Sequence, residues 1–432
     1  MARIRPFRAW TYDRTDADVT RFTAPPYDVI NPQQREELLA KDPHNVVALE
    51  LPEGSVDPEA PDNRYETGAA RWSAWRDEGV LVQDDVPSIY VLEQRYELAG
   101  TPVRRRAFIA ETRLHAFDEG IVLPHERTLP KALGDRFNLL KATAANLSQV
   151  FGLYQDPGDV TRALFERAMS AEPTMRSTDA DGVQSLVWAV TDADLIGKIV
   201  AAVADSPIFI ADGHHRYTVA LAYRDLRREQ DAAAGTTVAD PDYDFVMMAL
   251  VNMDDPDLVV LPTHRIADHY EQFDADEFYA ELSAHFTVSE LPPGDPVQVL
   301  EGYERPAFVV KTRADESPRL AVLRDSVDLQ REIRAEHSAA WKELDVAVLL
   351  ELVLDPILGI HPDRPDTLER LHFAKDAREA LGMTRDHDAA FVVRPTRMDQ
   401  MRAVSLAGDV MPQKSTYFYP KLLSGLVMRS LD

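Results

Sequence analysis

One short apolar run that ends in a polar turn constrains the fold of this chain more than any other segment. Residues Ile208–Ala211 are all apolar, which is typical of a strand that is buried on both faces of a sheet. The turn Asp212–Arg216 follows, and Gly213 permits a tight change of direction there. Apolar residues then recur at helical spacing. The sequence therefore predicts a strand, a turn and a helix over Pro207–Glu229.

The turn itself carries side chains that suit an anionic ligand such as a phosphate group. Peptide N–H groups at the start of the next helix point outward, and the helix dipole favours an anion there. Arg216 can clamp two phosphate oxygens, and His214 and His215 add donors whose charge is adjustable near neutral pH. Asp212 would repel phosphate and suits Mg²⁺ or a substrate hydroxyl better. The alternative is that Asp212 caps the helix and the histidines pack inside.

Composition limits the remaining possibilities. The chain has 432 residues, which predicts two or three packed units. It has no cysteine, so disulfides, thiolate nucleophiles and cysteine-based metal sites are excluded. A net charge of −26 opposes nucleic acid binding over most of the surface. Because no signal peptide or membrane-spanning run is evident, a cytoplasmic protein without a membrane partner is expected.

Strands and helices are predicted to mix without strict βαβ alternation, which favours an α+β fold with a mixed sheet. Ser88–Leu98 and Arg106–Leu114 are predicted to form a hairpin around residues 99–102. The basic cluster Arg104–Arg106 is expected on a solvated edge or helix face. Three regions are predicted: a mixed α/β core over 1–270, a small α/β segment over 271–335, and a mostly helical region over 336–432.

Weaker candidate sites lie elsewhere in the chain. His125 and Glu126, with Thr128, stand in a proline-bounded loop, where a carboxylate beside a histidine could act as a general base. The alternative is an ordinary surface loop. Thr263–Arg265 follows an apolar run, at the kind of strand end where sites gather.

Two further segments carry polar side chains. Tyr27 and Asp28 belong to a rigid loop that contains two prolines, and a packed turn explains them equally well. Near the C-terminus, Lys414, Ser415 and Thr416 could close over the phosphate site together with Lys421, or could simply join two helices.

Several established sites are absent from the sequence. It contains no HExxH motif, and the adjacent His214 and His215 do not share a helical face, so a dedicated zinc site is not expected. The phosphate loop GxxxxGK[ST], the protein-kinase motifs and the GxSxG nucleophile elbow are absent too.

Five segments carry a recognisable pattern when they are taken together: Ala24–Ile30, Pro124–Glu126 with Thr128, Ile210–Tyr217, Pro262–Arg265, and Met411–Thr416 with Tyr419–Lys421. In this order they resemble the domain-of-unknown-function family 1015, and the likeness extends over nearly the whole chain.

The Asp-Gly-His-His-Arg turn is also similar, more distantly, to the phosphate-binding motif of the ParB/sulfiredoxin superfamily, and within it to the free serine kinases. Those enzymes phosphorylate L-serine with ATP or ADP and Mg²⁺, and an upstream glutamate is their general base. The resemblance implies a ParB/sulfiredoxin-like core and assigns Glu126 as the base, with the residues between Glu126 and Asp212 as an insertion.

Site residues follow from these arguments together. The predicted catalytic residues are Glu126, Asp212, His215 and Arg216, and Asp212 is also the predicted Mg²⁺ ligand. The predicted nucleotide- or phosphate-binding residues are Gly213, His214, His215, Arg216, Thr263, His264 and Arg265. The predicted substrate-binding residues are Tyr27, Asp28, His125, Thr128, Lys414, Ser415 and Thr416.

The function expected first is phosphate transfer to free L-serine, or to a similar hydroxy amino acid, from a nucleotide donor. A phosphoserine phosphatase or another phosphate-ester hydrolase is the first alternative, since water can replace the serine hydroxyl. A ParB-like nucleotide-gated binding protein is the second, and both the charge and the lack of a basic helix-turn-helix oppose it.

Overall fold

The computed structural model describes residues 1–126, 130–269, 272–333, 336–361 and 364–431. The strands in chain order are β1 (Ile4–Arg5), β2 (Trp10–Tyr12), β3 (Leu81–Gln83), β4 (Ile89–Leu98), β5 (Thr101–Arg113), β6 (Val122–Leu123), β7 (Ala145–Asn146), β8 (Val150–Tyr154), β9 (Met175–Thr178), β10 (Gln184–Val190), β11 (Ile208–Asp212), β12 (Phe245–Asn252), β13 (Val259–Leu261), β14 (His264–Ala267), β15 (Phe286–Glu290), β16 (Ala307–Thr312), β17 (Arg319–Leu323), β18 (Leu371–Ala374), β19 (Ala389–Val392), β20 (Tyr417–Tyr419) and β21 (Arg429–Ser430).

Helices separate many of these strands. In chain order they are α1 (Pro32–Lys41), α2 (Val47–Glu50), α3 (Arg64–Asp77), α4 (Pro130–Thr143), α5 (Val160–Ala168), α6 (Ala193–Val203), α7 (His214–Ala233), α8 (Ala275–His285), α9 (Pro296–Glu301), α10 (Leu329–Glu332), α11 (Ala339–Lys342), α12 (Asp345–Leu349), α13 (Pro365–Leu368), α14 (Ala377–Gly382) and α15 (Met398–Leu406). A π-helical turn over Leu350–Leu354 follows α12.

The chain forms two compact units. Unit 1 spans Met1–Pro124, Thr128–Val259 and Pro420–Asp432, and unit 2 spans His125–Arg127 and Val260–Tyr419. The three-part division with boundaries at 270 and 335 stays a prediction.

A large mixed sheet forms the centre of unit 1. Within the described residues it has nine strands in the order β6-β11-β8-β12-β5-β4-β10-β9, with β1 paired to β5. The pairs β6/β11 and β8/β12 are parallel, and the other pairs are antiparallel. This mixture confirms the predicted α+β fold with a mixed sheet.

The helices α5, α6 and α7 cover one face of this sheet and complete its core. Phe165 of α5, Ile199 of α6 and Tyr217 of α7 pack in one cluster with apolar side chains of the central strands. Residues Ile208–Ala211 of β11 are at most 5% exposed. The buried strand that was predicted from its uninterrupted apolar run is therefore confirmed.

The predicted hairpin is present, but its turn is tighter than expected. β4 ends at Leu98 and β5 begins at Thr101, so only Ala99 and Gly100 lie between the strands. Both have positive φ angles, 48° and 81°, as a two-residue type I′ turn requires. Pro102 suggested a longer turn, but a proline is tolerated close to the start of a strand.

Unit 2 contains an antiparallel sheet with the strand order β15-β17-β16-β19-β14-β18. Two of its strands, β18 and β19, come from the region that was expected to be mostly helical. That expectation needs correction: the region contributes α11–α15 and also strands on both sides of β14. The sequence of β19, Ala-Ala-Phe-Val, is too short and too rich in alanine to signal a strand by its pattern.

Among the helices of the described residues, none combines the length and the apolar character that crossing a membrane requires.

We predict that unit 1 does not tolerate a side chain at Gly152, in the middle of β8. An added Cβ would lie 2.8 Å from side-chain atoms of Leu250 and of Met248, and 2.9 Å from one of Ile208. Overpacking of this kind should lower the free energy of unfolding of Gly152→Ala by about 1–3 kcal/mol, measured by urea denaturation.

The matched control is Gly197→Ala in α6, where an added Cβ meets no atom within 4 Å. This variant should be more stable than the parent by about 0.5–1 kcal/mol, because alanine favours helix. Equal stability of the two variants would contradict the packing described for β8.

Candidate functional site

The turn after β11 is built by a bulge and a glycine. The register of β11 against β8 shifts between Ile210 and Asp212, and such bulges re-aim the end of a strand. Gly213 follows with φ 90° and ψ 30°, a left-handed conformation that favours glycine. Gly213 is also the N-cap of α7, without a side-chain cap. The alternative in which Asp212 caps the helix is therefore wrong.

Arg216 folds back over this turn. An added Cβ at Gly213 would lie 2.9 Å from Nε and 3.1 Å from Cζ of Arg216, so a glycine is needed for the guanidinium group to lie there. Nη1 donates to the main-chain oxygen of Gln149, and Nη2 lies 4.0 Å from Asp212 Oδ1. Within the described residues, the buried Nε of Arg216 has no hydrogen-bond partner. Such a donor is costly to leave unused, so an oxygen-bearing ligand would satisfy it.

Lys421 binds the carboxylate of Asp212. Its Nζ donates to Asp212 Oδ2 at 2.7 Å, and each of the two side chains is 18% exposed. Burial alone would raise the pKa of the Asp212 carboxyl, but the charges of Lys421 and Arg216 outweigh it and hold this pKa well below its usual range. Asp212 is therefore an anion at every physiological pH.

Arg105 adds a third cation, which the sequence did not reveal. The cluster Arg104–Arg106 was expected on a solvated edge or helix face, and for Arg105 that expectation is wrong, since Arg105 is 1% exposed. Its Nε donates to Gln94 Oε1 at 3.1 Å and its Nη2 to the main-chain oxygen of Pro420. Burial lowers the pKa of Arg105 to about 10, although Tyr96 and Asp212 oppose the shift, so the group stays charged. Alternation along β5, in which Val103 and Ala107 are also buried, was the available signal.

The two histidines of the turn differ in exposure. His214 is buried and His215 is half-buried, and both make further interactions. His214 also lies close enough to Asp212 for its charge to favour the ionised carboxylate.

Tyr27, from the predicted substrate-binding set, lies near the same arginine. Burial raises the pKa of Tyr27 to about 12, against the opposing charges of Arg216 and Arg136. The Arg136 guanidinium lies 4.2 Å from the centroid of the Tyr27 ring. A cavity of about 50 Å³ is lined by Arg136, Arg216 and Glu50, among others. The neighbouring Asp28 is exposed.

A second group of predicted residues comes together in unit 2. Glu126 forms a parallel bridge with Met411, and its Oε1 accepts a hydrogen bond of 2.8 Å from the main-chain nitrogen of Lys414. His125 Nε2 lies 2.9 Å from Thr416 Oγ1. The structure therefore brings His125 and Glu126 to the predicted C-terminal segment.

Arg265 joins this second group. Its Nη2 donates to the main-chain oxygens of Lys414, at 3.1 Å, and of Gln413, at 3.4 Å, and its Nη1 donates to that of Thr263. Burial lowers the pKa of Arg265 to about 10, although the charge of Glu126 opposes the shift. Lys414 has a φ of 58°, which is uncommon for a residue other than glycine and is frequent at functional sites.

His264 lies in β14 and is 1% exposed. Its Nδ1 accepts from the main-chain nitrogen of Val393 at 3.3 Å, and its buried Nε2 has no partner among the described residues. Burial, with a smaller effect of Arg265, lowers the pKa of His264 to about 4, so the ring is neutral at pH 7. Ser415 is buried as well. Thr128 lies outside the described residues.

A family model described as "Protein of unknown function (DUF1015)" matches residues 4–347. The chain belongs to the DUF1015 family. The resemblance that the five sequence segments indicated is thereby confirmed. No curated protein matches this DUF1015 chain.

Several solved structures are distantly similar to the DUF1015 chain. A variant of free serine kinase in complex with ADP is 13% identical, with 72% of this chain and 87% of that chain covered and a TM-score of 0.34. A conserved hypothetical protein from Pyrococcus furiosus is 13% identical, with 75% and 95% covered and a TM-score of 0.35. SbnI from Staphylococcus aureus, truncated at its C-terminus, is 9% identical, with 74% and 86% covered and a TM-score of 0.34.

We predict that Lys421→Met lowers the free energy of unfolding at pH 7 by about 1–3 kcal/mol, because Asp212 then loses its hydrogen-bonded cation in a largely buried place. The folded-state pKa of Asp212 is depressed. The stability that the ion pair contributes is therefore present above the unfolded pKa of about 3.9 and is lost as the pH falls below it. Urea denaturation between pH 7 and pH 3 should show a gap between parent and variant that narrows below about pH 4.

Lys198→Met is the matched control. Lys198 Nζ donates to Asp194 Oδ2 at the same distance of 2.7 Å, but the two side chains are 54% and 61% exposed, and exposed pairs contribute little. The loss of unfolding free energy in Lys421→Met should exceed that in the control and should shrink at low pH. An equal loss in the two variants, or a loss that does not change with pH, would contradict a stabilising ion pair between Asp212 and Lys421.

Proposed function

We propose that this DUF1015 protein is a small-molecule phosphotransferase whose phosphate site is the turn Asp212–Arg216. One observation carries the proposal: the buried Nε of Arg216 has no partner within the described residues, and it lies at the N-terminus of the 20-residue helix α7. Lys421 and Arg105 add positive charge around the carboxylate of Asp212, in the same turn. An anion with several oxygens matches this set of donors.

The acceptor in the proposal is free L-serine or a similar hydroxy amino acid, and the donor is ATP or ADP. The acceptor's hydroxyl oxygen attacks the terminal phosphorus of the donor, and the bond from that phosphorus to its bridging oxygen breaks. ADP or AMP leaves, and the hydroxyl proton passes to a base. Arg216 and the first N–H groups of α7 hold the transferred phosphoryl group and stabilise its developing charge. Asp212 positions Lys421 and Arg216.

A Mg²⁺ ion bound by Asp212 fits this arrangement poorly. Oδ2 of Asp212 accepts from Lys421, and its Oδ1 lies 4.0 Å from Arg216. A metal ion there would stand among cations and would have to displace an ammonium group. No step is therefore assigned to a metal at Asp212.

The other assignments stay predictions. They are Glu126 as the general base, His215 as a further catalytic residue, His214, His215, Thr263, His264 and Arg265 as phosphate-binding residues, and Tyr27, Asp28, His125, Thr128 and Lys414–Thr416 as substrate-binding residues. The contact at Glu126 supports a positioned carboxylate there, since its Oε1 accepts a hydrogen bond from the main-chain nitrogen of Lys414. A ParB/sulfiredoxin-like topology of the unit 1 sheet belongs to the same proposal.

We expect the protein to form O-phosphoserine from L-serine with ATP or ADP, detected by mass spectrometry in a buffer that contains Mg²⁺ as the counter-ion of the nucleotide. Arg216→Gln should lower kcat by about 10²–10³-fold, the loss typical when one donor to a developing negative charge is removed. Glu126→Gln, measured in parallel, tests the predicted base: its kcat should fall as well if Glu126 accepts the hydroxyl proton.

Arg167→Gln is the matched control, because Arg167 is a surface arginine of unit 1 with an exposed side chain, and its kcat should be unchanged. Product loss in Arg216→Gln alone would support the phosphate site at the turn and would show that a residue other than Glu126 is the base. No product with either donor would contradict the kinase proposal, and hydrolysis of added O-phosphoserine under the same conditions would establish the phosphatase instead.

A further inference from the structure

Three adjacent strands of unit 2 bring two histidines and an aspartate together. Asp268 directly follows β14, His372 lies in β18, and His387 precedes β19. The strands β19 and β18 flank β14 on its two sides. Ile266 is paired with His372, and Ala267 is paired with Ala389. The cluster is therefore created by strand pairing, and no spacing along the sequence indicates it.

The distances within this Asp268–His372–His387 cluster match those between ligands of one metal ion. Asp268 Oδ2 lies 2.9 Å from Nδ1 of His387 and 3.6 Å from Nε2 of His372. One potential ligand atom from each residue can be chosen so that all three lie within 4.8 Å of one another. Ligands at about 2.0–2.1 Å from a tetrahedral Zn²⁺ ion are separated by about 3.3 Å, which lies between the distances of 2.9 Å and 3.6 Å within the cluster.

The carboxylate of Asp268 is held in place by its surroundings. Its Oδ1 accepts from the main-chain nitrogen of Asp388 at 3.1 Å, so Oδ2 is the oxygen that faces the two imidazoles. Arg370 holds the main chain of Asp268 by two hydrogen bonds. The main-chain nitrogen of Asp268 donates to the main-chain oxygen of Arg370 at 3.0 Å, and Nη1 of Arg370 donates to the main-chain oxygen of Asp268 at 3.0 Å. Supporting contacts of this kind orient the ligands of metal sites.

Asp388 is engaged elsewhere, so the described residues offer three protein ligands at this cluster. The Oδ2 of Asp388 accepts from the main-chain nitrogen of His269 at 3.0 Å, and its Oδ1 pairs with Arg313 at 3.3 Å. The side chains of Asp268, His372 and His387 are between 21% and 38% exposed, so an ion and a water molecule can reach them.

Ordinary pairs of histidine and carboxylate in the same unit differ from this cluster. His285 pairs with Glu332 at 3.0 Å and His337 with Asp409 at 2.9 Å; in each of these pairs, one imidazole meets one carboxylate. At Asp268 a second imidazole converges on the same oxygen, with the ring centroids of His372 and His387 4.4 Å apart. A single hydrogen bond does not require that second ring.

We propose that Asp268, His372 and His387 bind a divalent transition-metal ion of the zinc type, with a fourth position left for water. Two imidazole nitrogens and one carboxylate oxygen suit zinc and its neighbours, whereas Mg²⁺ and Ca²⁺ prefer oxygen ligands alone. The ion would join the strands β14, β18 and β19 at one point. This site is independent of the proposed phosphotransfer, and it departs from the sequence-based expectation, which rested on the absence of an HExxH motif and on the adjacent positions of His214 and His215.

The test uses the full chain without a histidine tag, stripped with a chelator and dialysed. Isothermal titration should show one Zn²⁺ bound per chain, and Mg²⁺ should not compete at equal concentration. His372→Ala and His387→Ala should each weaken zinc binding by at least about 10–100-fold. A loss of that size is typical when a residue that only supports a metal ligand is mutated, and these variants remove a ligand itself. Co²⁺ added in place of Zn²⁺ should give visible absorption bands that both variants lose.

His285→Ala is the matched control, since it removes a histidine from a carboxylate pair in the same unit and should leave zinc binding unchanged. Asp268→Asn removes the negative charge of the ligand, so it should weaken zinc binding. Because Asn keeps a hydrogen-bond acceptor in a side chain of the same shape, thermal unfolding without metal should stay as in the parent. Absence of stoichiometric zinc binding, or equal affinities in His372→Ala, His387→Ala and His285→Ala, would overturn the proposal.

Discussion

The ion pair between Asp212 and Lys421 is the contact on which the rest of the candidate phosphate site depends. Asp212 is the last residue of β11 in unit 1. Lys421 belongs to the C-terminal segment Pro420–Asp432, which is part of the same unit. The same segment is held again where Arg429, at 2% exposed, pairs with Glu111 and donates to the main-chain oxygen of Phe245 at 2.9 Å. Two largely buried ion pairs therefore attach the C-terminal segment to the sheet.

Keeping so much charge out of water costs stability unless each group finds a partner. Arg105 is satisfied by Gln94 and by the main-chain oxygen of Pro420, and Gln94 in turn donates to the main-chain oxygen of Lys421 at 3.2 Å. One buried donor within the described part of this network, Nε of Arg216, is left over. A preorganised anion site requires charged groups that are already held in place by hydrogen bonds, together with a donor that is still available for the anion. The unsatisfied Nε of Arg216 is the physical basis for the proposal that the turn binds phosphate.

Local patterns predicted the elements that local forces determine. The uninterrupted apolar run before Asp212 became β11, and the glycine after it became the left-handed N-cap of α7. The charged partners could not be predicted in this way. Arg105 lies in a run of three arginines whose alternation along β5 buries only the middle one completely. Alternation along β5 could indicate that Arg105 is buried, but not which groups it binds. Its partners depend on strand pairing and on the contact of residues 420–432 with the sheet, and the spacing of residues along the sequence encodes neither. The cluster at Asp268 and the strands β18 and β19 were missed for the same reason.

Direct measurement of nucleotide binding tests the central claim that the Asp212–Arg216 turn holds phosphate. ADP would be titrated calorimetrically into the parent protein, into Arg216→Gln and into the surface variant Arg167→Gln. If the turn holds phosphate, the parent and Arg167→Gln should bind ADP equally well. Arg216→Gln should bind ADP about 10–100-fold more weakly, as expected for the loss of charged hydrogen bonds. Equal ADP binding by all three proteins, or no ADP binding by the parent, would show that the turn does not hold the phosphate.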